Sequence, residues 1–394
     1  MDLSRVATLR KASRRKLLIG AGMFMLVAVS MISSVSAISK KDAIMGFVNG
    51  CFNPTEGYYG TNDNSTAKQT TMESTFAAMN IISILAPPLS DRLKVGSGNL
   101  NAPLQFIITA TLNDSGGFRG IPGTKETVMD TYKGVYFSKL CGFKNETALM
   151  NLHAQFVLNS QNVNGGFGSS PSTNSTPDIF NTYYALKVLS LTGNLTNIKY
   201  NMTLVRNFTL SCRRASNVFA GTWNSTDVSI AATYFAVRLY RDFLSSWHDL
   251  DGTTNDVRAF LASHQDASGG FVDPAVGTEP LLSSTFYAVS ICRDFVQTIK
   301  IPLGDDKTIN WILSRLSYSG GFIEGSSPVA TASMVATDFA VSAISRIRPS
   351  LSDLTSDTAW TLSQIAGTVA AVVLVIAIIV LIFVAYIVKR RNRI

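Results

Sequence analysis

The sequence contains little histidine and little cysteine for its length. Three histidines occur in 394 residues, at His153, His248 and His264, and they form no cluster. Four cysteines occur, and no two of them make a Cys-x-x-Cys pair. A zinc knuckle, a dithiol redox motif and a Ser-His-Asp triad each need these residues in defined arrangements, so the sequence argues against all three. Walker and Rossmann glycine patterns are absent as well.

The net charge of +8 suggests an acidic partner until its distribution is considered. Residues 1–37 and 389–394 together hold ten Lys or Arg and one acidic residue, which leaves the rest of the chain at about −1. Basic residues that flank apolar runs are topology signals of membrane proteins. We therefore expect no nucleic-acid partner.

Both ends of the chain are typical of targeting and membrane segments. In residues 1–37 a basic stretch precedes the apolar run 17–32 and the small residues Val35-Ser36-Ala37, which predicts a signal peptide or an uncleaved signal anchor. Residues 365–388 carry no charge and are long enough for a transmembrane helix, and 389–394 form a basic cytosolic tail. We expect residues 38–348 to be lumenal or extracellular in the secretory pathway or at the cell surface, joined to the span by a short stalk, 349–364.

Two further features concern an oxidising compartment. An even number of cysteines permits two disulfides there, although buried free thiols are the alternative. The region also contains eight Asn-x-Ser/Thr sequons, which are candidate glycosylation sites of a glycoprotein. The cysteines are Cys51, Cys141, Cys212 and Cys292, and the sequons begin at Asn64, Asn113, Asn145, Asn174, Asn194, Asn201, Asn207 and Asn224.

A sixfold repeat dominates the region between the ends. In each copy a Thr is followed by one or two large residues and, three positions after the Thr, by Ala or Gly. The threonines are 51–56 residues apart. They are Thr75, Thr131, Thr182, Thr233, Thr285 and Thr337. Such an even period indicates one copied supersecondary unit.

Each unit has the same order of parts: an amphipathic stretch, a glycine turn that ends in an aromatic residue, a polar loop, and the Thr-containing apolar stretch. Apolar residues at i, i+3 and i+4 in the amphipathic stretches predict helices. We expect about twelve helices in two layers, with each turn's aromatic residue inserted between them. The predicted turns are Gly57-Tyr58-Tyr59, Gly116-Gly117-Phe118, Gly165-Gly166-Phe167, Gly221-Thr222-Trp223, Gly269-Gly270-Phe271 and Gly320-Gly321-Phe322.

The segments QNVNGGFGSSPSTNSTPDIFNTYYALKVLSL, FRGIPGTKETVMDTYKGVYF and FLASHQDASGGF resemble the repeats of protein prenyltransferase β subunits and terpenoid cyclases. The resemblance covers residues 39–348. It implies an all-α fold, a closed (α/α)6 toroid of six helix pairs of about 52 residues, to which this chain adds the C-terminal transmembrane helix.

The resemblance also implies a place for a zinc site. Protein prenyltransferases bind zinc through an Asp-x-Cys at the start of one inner helix and a His in the next repeat. Here Asp130 matches the Asp, but Tyr132 stands in place of the Cys and Asn181 in place of the His. The Asp-x-Asp-Asp acid of class II terpenoid cyclases and a Cys-Gly-Glu-Gln thioester are also missing. We expect no metal and no cofactor.

By the same resemblance, the residue after each Thr faces the inner mouth of the barrel. We predict an aromatic cavity there, formed by Phe76, Tyr132, Tyr183, Tyr234 and Phe286, with Asp338, Asp130 and Asn181 as polar members. Two functions remain open. One is a non-catalytic single-pass membrane protein whose toroid binds a hydrophobic ligand or a partner protein. The alternative is a divergent transferase or cyclase that acts on an isoprenoid or lipid and uses Asp338 or Asp130 as an acid.

Overall fold

The computed structural model describes residues 39–53, 58–62, 71–86, 112–140, 147–172, 175–198, 201–215, 217–244, 247–250, 253–295, 299–325 and 331–355. None of the helices in these ranges is long and apolar enough to cross a membrane. The signal segment 1–37, most of the stalk 349–364, the predicted span 365–388 and the tail 389–394 lie outside the described residues, as do Cys141, Asn64, Asn145 and Asn174. Residues 41–355 form one compact unit.

The described unit is helical, with a few short extended and irregular turns. In chain order its α-helices are α1 (Lys40–Gly50), α2 (Met72–Leu85), α3 (Val128–Leu140), α4 (Thr147–Leu158), α5 (Ile179–Leu191), α6 (Met202–Ser211), α7 (Ile230–Leu239), α8 (Thr254–Ser263), α9 (Leu282–Asp294), α10 (Asp305–Leu313), α11 (Met334–Ile347) and α12 (Ser352–Thr355). Two-residue antiparallel strands pair β1 (Phe52–Asn53) with β2 (Tyr58–Tyr59) and β3 (Phe118–Arg119) with β4 (Glu126–Thr127). A π-turn (Tyr240–Leu244) continues α7, and 3-10 turns cover Leu195–Asn197 and Trp247–Leu250.

The helices that begin near each repeated Thr form a closed inner ring. In order around the ring, α2, α3, α5, α7, α9 and α11 each contact the next, and α11 contacts α2. The amphipathic helices α1, α4, α6, α8 and α10 precede their inner partners in the chain, as the sequence period predicts. The predicted α/α toroid is therefore confirmed.

Backbone hydrogen bonds join neighbouring units around this ring. The first amide of an inner helix donates to a carbonyl in the loop of the following unit: Met72 to Gly120 and Val128 to Ser169, both at 2.8 Å. Ile179 and Leu282 make the equivalent bonds farther round. The Met334 amide donates to the carbonyl of Thr61 at 2.8 Å, which connects the sixth unit back to the first. The ring thus closes by the same contact that links its members.

The repeated Thr holds the aromatic residue of its own turn in place. The Thr182 hydroxyl accepts a hydrogen bond from the Phe167 amide at 3.0 Å and donates to the Asp178 carbonyl at 2.6 Å. Thr131, Thr233, Thr285 and Thr337 accept the equivalent bonds from Phe118, Phe219, Phe271 and Phe322, at 2.9–3.1 Å. These five Phe side chains are at most 1% exposed, so each fills the space between the helical layers.

The prediction for the fourth turn was wrong. Phe219, and not Trp223, inserts between the layers there, and Trp223 is 53% exposed. Asn217 takes the left-handed conformation, with φ of 54°, where four other turns have a glycine at positive φ. Asn tolerates this region better than most residues, so the turn survives without the Gly-Gly pair that marks it elsewhere.

The glycine pairs also permit close contact with the next outer helix. A Cβ on Gly165 would lie 2.3 Å from the Leu204 carbonyl carbon, and one on Gly166 would lie 2.8 Å from the Phe208 ring. In the last unit, a Cβ on Gly320 would lie 2.1 Å from the Ala43 carbonyl oxygen on α1. The glycines are therefore needed for the packing between units as well as for the turn.

The expected disulfides are wrong for two of the cysteines. Cys212 and Cys292 are fully buried free thiols. Burial raises the pKa of Cys212 to about 11 and that of Cys292 to about 12. Both lie in the apolar core, so the alternative of buried thiols is confirmed for them.

Candidate functional site

One face of each inner helix points to the centre of the ring. The positions one, five and nine residues after the repeated Thr share this face, because a step of four residues is close to one helical turn. At the first level it carries Phe76, Tyr132, Tyr183, Tyr234, Phe286 and Asp338, and at the second Asn80, Tyr136, Lys187, Arg238, Ser290 and Ser342. At the third level it carries Ile84, Leu191, Asp242, Asp294 and Arg346. The face is aromatic near the helix starts and charged toward the helix ends.

The aromatic side chains form a continuous cluster across the ring. Phe76 contacts Tyr132 at a centroid distance of 6.1 Å, and Tyr132 contacts Tyr184 at 5.1 Å. On the other side Tyr234 contacts Phe286 at 6.0 Å. The predicted aromatic residues are thus brought together. A second set, which the sequence analysis missed, lies one position later and comprises Tyr184, Phe235, Tyr287 and Phe339.

Several of these rings are only partly buried. Tyr132, Tyr184 and Tyr287 lie deep in the protein, and burial raises the pKa of each phenol well above its ordinary value. Each nevertheless keeps open surface, as do Phe286 and Phe339, and none of the five is fully buried. The cluster that spans the ring therefore keeps open aromatic surface on at least three inner helices, α3, α5 and α9. Tyr183 and Tyr234, in contrast, are 6% and 7% exposed and belong to the core.

Asp338 is the one acidic residue at the first level, which we call the aromatic level because its other five positions are aromatic. Its Oδ1 accepts hydrogen bonds from Asn80 Nδ2 at 2.6 Å and from Ser342 Oγ at 3.1 Å. Burial raises the pKa of the carboxyl group to about 7. Because both bonds end on Oδ1, a proton on this group is carried by Oδ2. Near neutral pH Asp338 is therefore partly a neutral carboxylic acid beside aromatic rings.

Asp130 and Asn181 are the two polar residues predicted from the zinc resemblance. Both are hydrogen-bonded within the N-terminal caps of their helices. The Thr127 hydroxyl donates to Asp130 Oδ2 at 2.6 Å, and the Asp130 amide donates back to it at 3.0 Å. Asn181 donates through Nδ2 to Asp178 at 2.6 Å, and its amide donates to the same carboxylate at 2.7 Å. Burial raises the pKa of Asp130. Both residues lie at the third helical position, where such reciprocal caps form.

A polar residue four positions before the repeated Thr marks this helix start and was readable from the sequence. Thr71, Asp178, Ser229 and Ser333 occupy the position, and each side chain accepts the amide three residues later. At Asn181, the position that matches the zinc-binding His, the side-chain amide is hydrogen-bonded to this cap residue. Among the described residues, no group of His, Cys, Asp and Glu side chains could hold a metal ion.

Charged side chains lie beyond the aromatic level, toward the ends of the inner helices. Asp242 accepts from Lys187 at 2.8 Å, from Arg238 at 2.9 Å and from the Tyr183 hydroxyl at 3.2 Å. Burial alone would raise the pKa of Asp242, but Lys187 and Arg238 lower it below its ordinary value. We call the following group the basic network: Lys187, Arg238, Arg241, Asp242, Asp294 and Arg346.

Two solved structures share this architecture. The chain is 15% identical to Candida albicans protein geranylgeranyltransferase-I complexed with GGPP, with 72% of this chain and 85% of that one covered and a TM-score of 0.57. It is 10% identical to a variant of the type II terpene cyclase MstE from Scytonema in complex with geranylgeranyl dihydroxybenzoate, with 79% and 97% covered and a TM-score of 0.54. At these identities the likeness shows the fold alone.

Sequence comparison gives the family. No curated protein sequence matches the chain significantly. The family model of the prenyltransferase alpha-alpha toroid domain matches residues 10–178 and 175–368, which is most of the chain. The sixfold repeat, the closed ring of inner helices and this match agree, and the chain belongs to the prenyltransferase α/α toroid domain family.

Proposed function

We propose that the toroid binds an apolar molecule of the isoprenoid class in the aromatic space at the centre of its inner ring. The observation that carries the proposal is the open surface that Tyr132, Tyr184 and Tyr287 keep in the middle of the protein. All six inner helices contribute at least one ring to this cluster. Aromatic walls with few polar groups are typical of small-molecule sites for apolar ligands.

The solved relatives support the same ligand class. One holds GGPP and the other holds geranylgeranyl dihydroxybenzoate. Both compounds contain a geranylgeranyl chain, which fits a space enclosed by aromatic side chains. The rings of neighbouring inner helices contact one another at centroid distances of 5.1–6.1 Å, so together they would form one aromatic wall for such a chain.

Binding of radiolabelled geranylgeraniol to the full-length protein in detergent tests the proposal. We expect saturable binding that Tyr132→Ala weakens about tenfold, since it removes one aromatic wall. Tyr318→Ala is the matched control, because Tyr318 is 70% exposed on a glycine turn. Absence of saturable binding, or equal effects of the two substitutions, would overturn the proposal. Tyr183→Ala is unsuitable, because Tyr183 is 6% exposed and hydrogen-bonded to Asp242.

A second candidate function is acid-initiated chemistry on the same ligand, with Asp338 as the proton donor. A carboxyl group with a pKa of about 7 carries a proton near neutral pH, and its Oδ2 is not the oxygen that Asn80 and Ser342 occupy. Neighbouring rings such as Phe286 and Phe339 would stabilise a cationic intermediate through their faces. Incubation with geranylgeranyl compounds, followed by mass spectrometry, tests this function. Turnover that Asp338→Asn abolishes while binding persists supports it, and binding without turnover excludes it for those compounds.

The cellular setting is proposed from the sequence of the chain ends. We propose that residues 38–348 face the lumen or the exterior, anchored by a helix in 365–388 with the basic tail 389–394 in the cytosol. Protease digestion of sealed microsomes tests this orientation. Protection of the toroid together with loss of a C-terminal epitope is expected, and digestion of the toroid would contradict it.

A further inference from the structure

A buried lysine interrupts the second set of aromatic residues. In the last four units the position two residues after the repeated Thr is aromatic, and its residues are Tyr184, Phe235, Tyr287 and Phe339. In the second unit this position is Lys133, which is 6% exposed. An ammonium group in the interior is costly unless it is paired. Neither of the two candidate functions makes use of this amine.

Lys133 is paired at the amino-terminal mouth of the ring. Its Nζ donates a hydrogen bond of 3.3 Å to Glu73 Oε1 on α2, and the Glu73 side chain is 55% exposed. Glu73 lies three residues before Phe76, so both are on the central face of α2. Met129 holds the same position on α3 and is 37% exposed. The ammonium group of Lys133 therefore lies between the aromatic level and a mouth whose side chains are exposed.

Two further carboxyl groups lie near this amine. Burial raises the pKa of Asp130 and that of Asp338, and the positive charge of Lys133 opposes the rise at both. The pKa of Asp338 is about 7, so this group can accept and donate a proton near neutral pH. A primary amine taken out of water, with acidic groups beside it, is the arrangement in which lysines form Schiff bases with carbonyl compounds.

We propose that Lys133 forms an imine with an isoprenoid aldehyde whose apolar chain lies against the aromatic cluster. This inference rests on the proposed function and adds the functional group of the ligand and a covalent bond. The aldehyde carbon would lie at the amino-terminal mouth, next to the Lys133–Glu73 pair.

The reaction is balanced without any further reactant. The ammonium group of Lys133 gives one proton to the Asp338 carboxylate, and the neutral Nζ attacks the aldehyde carbon as the carbonyl π bond breaks. The carbonyl oxygen then takes one proton from Nζ and one from Asp338, and it leaves as water. The product is a protonated imine, so the positive charge beside Glu73 is the same before and after the reaction.

Reductive trapping on the full-length protein in detergent tests the inference. The protein is incubated with geranylgeranial and sodium cyanoborohydride, which reduces an imine to a stable amine, and peptide mass spectrometry then locates the modified lysine. We expect modification of Lys133, suppressed by an excess of geranylgeraniol because the alcohol occupies the same aromatic cluster. Lys133→Arg should abolish the modification, since it keeps the charge beside Glu73 but forms no imine.

Lys125 is the matched control within the same molecule, because it is exposed in the loop before α3. Asp338→Asn should slow the modification of Lys133 and leave that of Lys125 unchanged. The peptide map and the competition need only the wild type, so they decide the question even where a variant folds poorly. Equal modification of the two lysines, or none at Lys133 while geranylgeraniol binds saturably, would overturn the inference and leave the proposed function standing. Failure of geranylgeraniol to bind would instead refute the proposed function.

Discussion

Asn80 on the first inner helix donates a hydrogen bond of 2.6 Å to Asp338 on the last, so a partly buried polar pair joins the two ends of the repeat. In the other five units an aromatic residue occupies the position of Asp338. Ser342, one turn later on the same helix, donates to the same oxygen at 3.1 Å. The seam that closes the ring therefore adds a polar side-chain contact to the backbone hydrogen bond that it shares with the other joints.

Replacement of Asp338 should change how stability depends on pH. Its pKa rises from 3.8 in the unfolded chain to about 7 in the folded protein, chiefly through burial. Between these values the folded state binds more protons, so the free energy of unfolding falls as pH rises from about 4 to about 7. Asp338→Asn keeps an acceptor for Asn80 and removes the charge. We expect it to be more stable than the wild type at pH 8, by a few kcal/mol, and of similar stability at pH 4.

Urea unfolding at pH 4, 6 and 8 measures this difference directly. Asp178→Asn is a useful comparison, because burial also raises the pKa of Asp178 but its carboxylate caps a helix and accepts the Asn181 amide. Parallel curves for the wild type and Asp338→Asn would mean that Asp338 does not titrate in this range.

Removal of the repeated Thr hydroxyl should destabilise the ring. In Thr182→Val the buried Phe167 amide loses its acceptor, at present 3.0 Å away. An unsatisfied buried donor costs about 1–3 kcal/mol, which chemical denaturation would detect. Thr75→Val is the matched control, since its hydroxyl lies 3.4 Å from the Tyr59 amide and the bond lost is weaker. A similar loss in both variants would show that side-chain shape, and not the hydrogen bond, sets the effect.

The glycine pairs should resist substitution. Gly165→Ala places a Cβ against the Leu204 backbone at a residue with φ of 93°. The left-handed conformation alone costs an L-residue about 1–2 kcal/mol, and the collision adds to it. At Gly277 a Cβ meets no atom within 4 Å, so Gly277→Ala should change the melting temperature little. Equal melting temperatures for the two variants would contradict the close packing of Gly165 against the Leu204 backbone.

The sequence predicted the fold because its signals are local and repeated. The period of the threonines, the glycine turns and the helical spacing all lie within one unit, and together they indicate six helix pairs. The fourth turn was misplaced because Asn217 and Val218 stand where the other turns have glycines. The polar cap four positions before the repeated Thr is present in five of the six units, with Leu281 as the exception, and it was visible in the sequence.

The candidate site was predicted only in part. The aromatic level could be predicted, because aligning the six repeats shows which residue follows each Thr. The basic network joins residues far apart in the chain, such as Arg238 with Asp294 and Arg346 with Asp294. No sequence pattern fixes those pairs, because they depend on the ring placing four helices side by side.

Glycosylation at Asn224 would test the lumenal placement of the toroid. Asn224 is exposed on a surface turn. The Arg214 guanidinium holds this turn by donating hydrogen bonds of 2.8–3.1 Å to the carbonyls of Thr222, Trp223 and Ser225. The Thr222 hydroxyl donates to Asn224 Oδ1 at 2.8 Å, and the residue is exposed on the surface, where a glycan can be attached. After expression in eukaryotic cells we expect a band shift on treatment with peptide-N-glycosidase, and a smaller shift for Asn224→Gln.

Asn207 provides a contrast, because it lies within α6 and the Thr209 of its sequon is fully buried and donates to the Val205 carbonyl at 2.9 Å. Asn207→Gln should leave the shift unchanged, since a helical sequon with a buried hydroxyl is poorly suited to carry a glycan in the folded protein. A wild-type protein without any shift would count against the lumenal orientation itself. A shift that Asn224→Gln leaves intact would instead assign the glycan to another sequon and preserve the orientation.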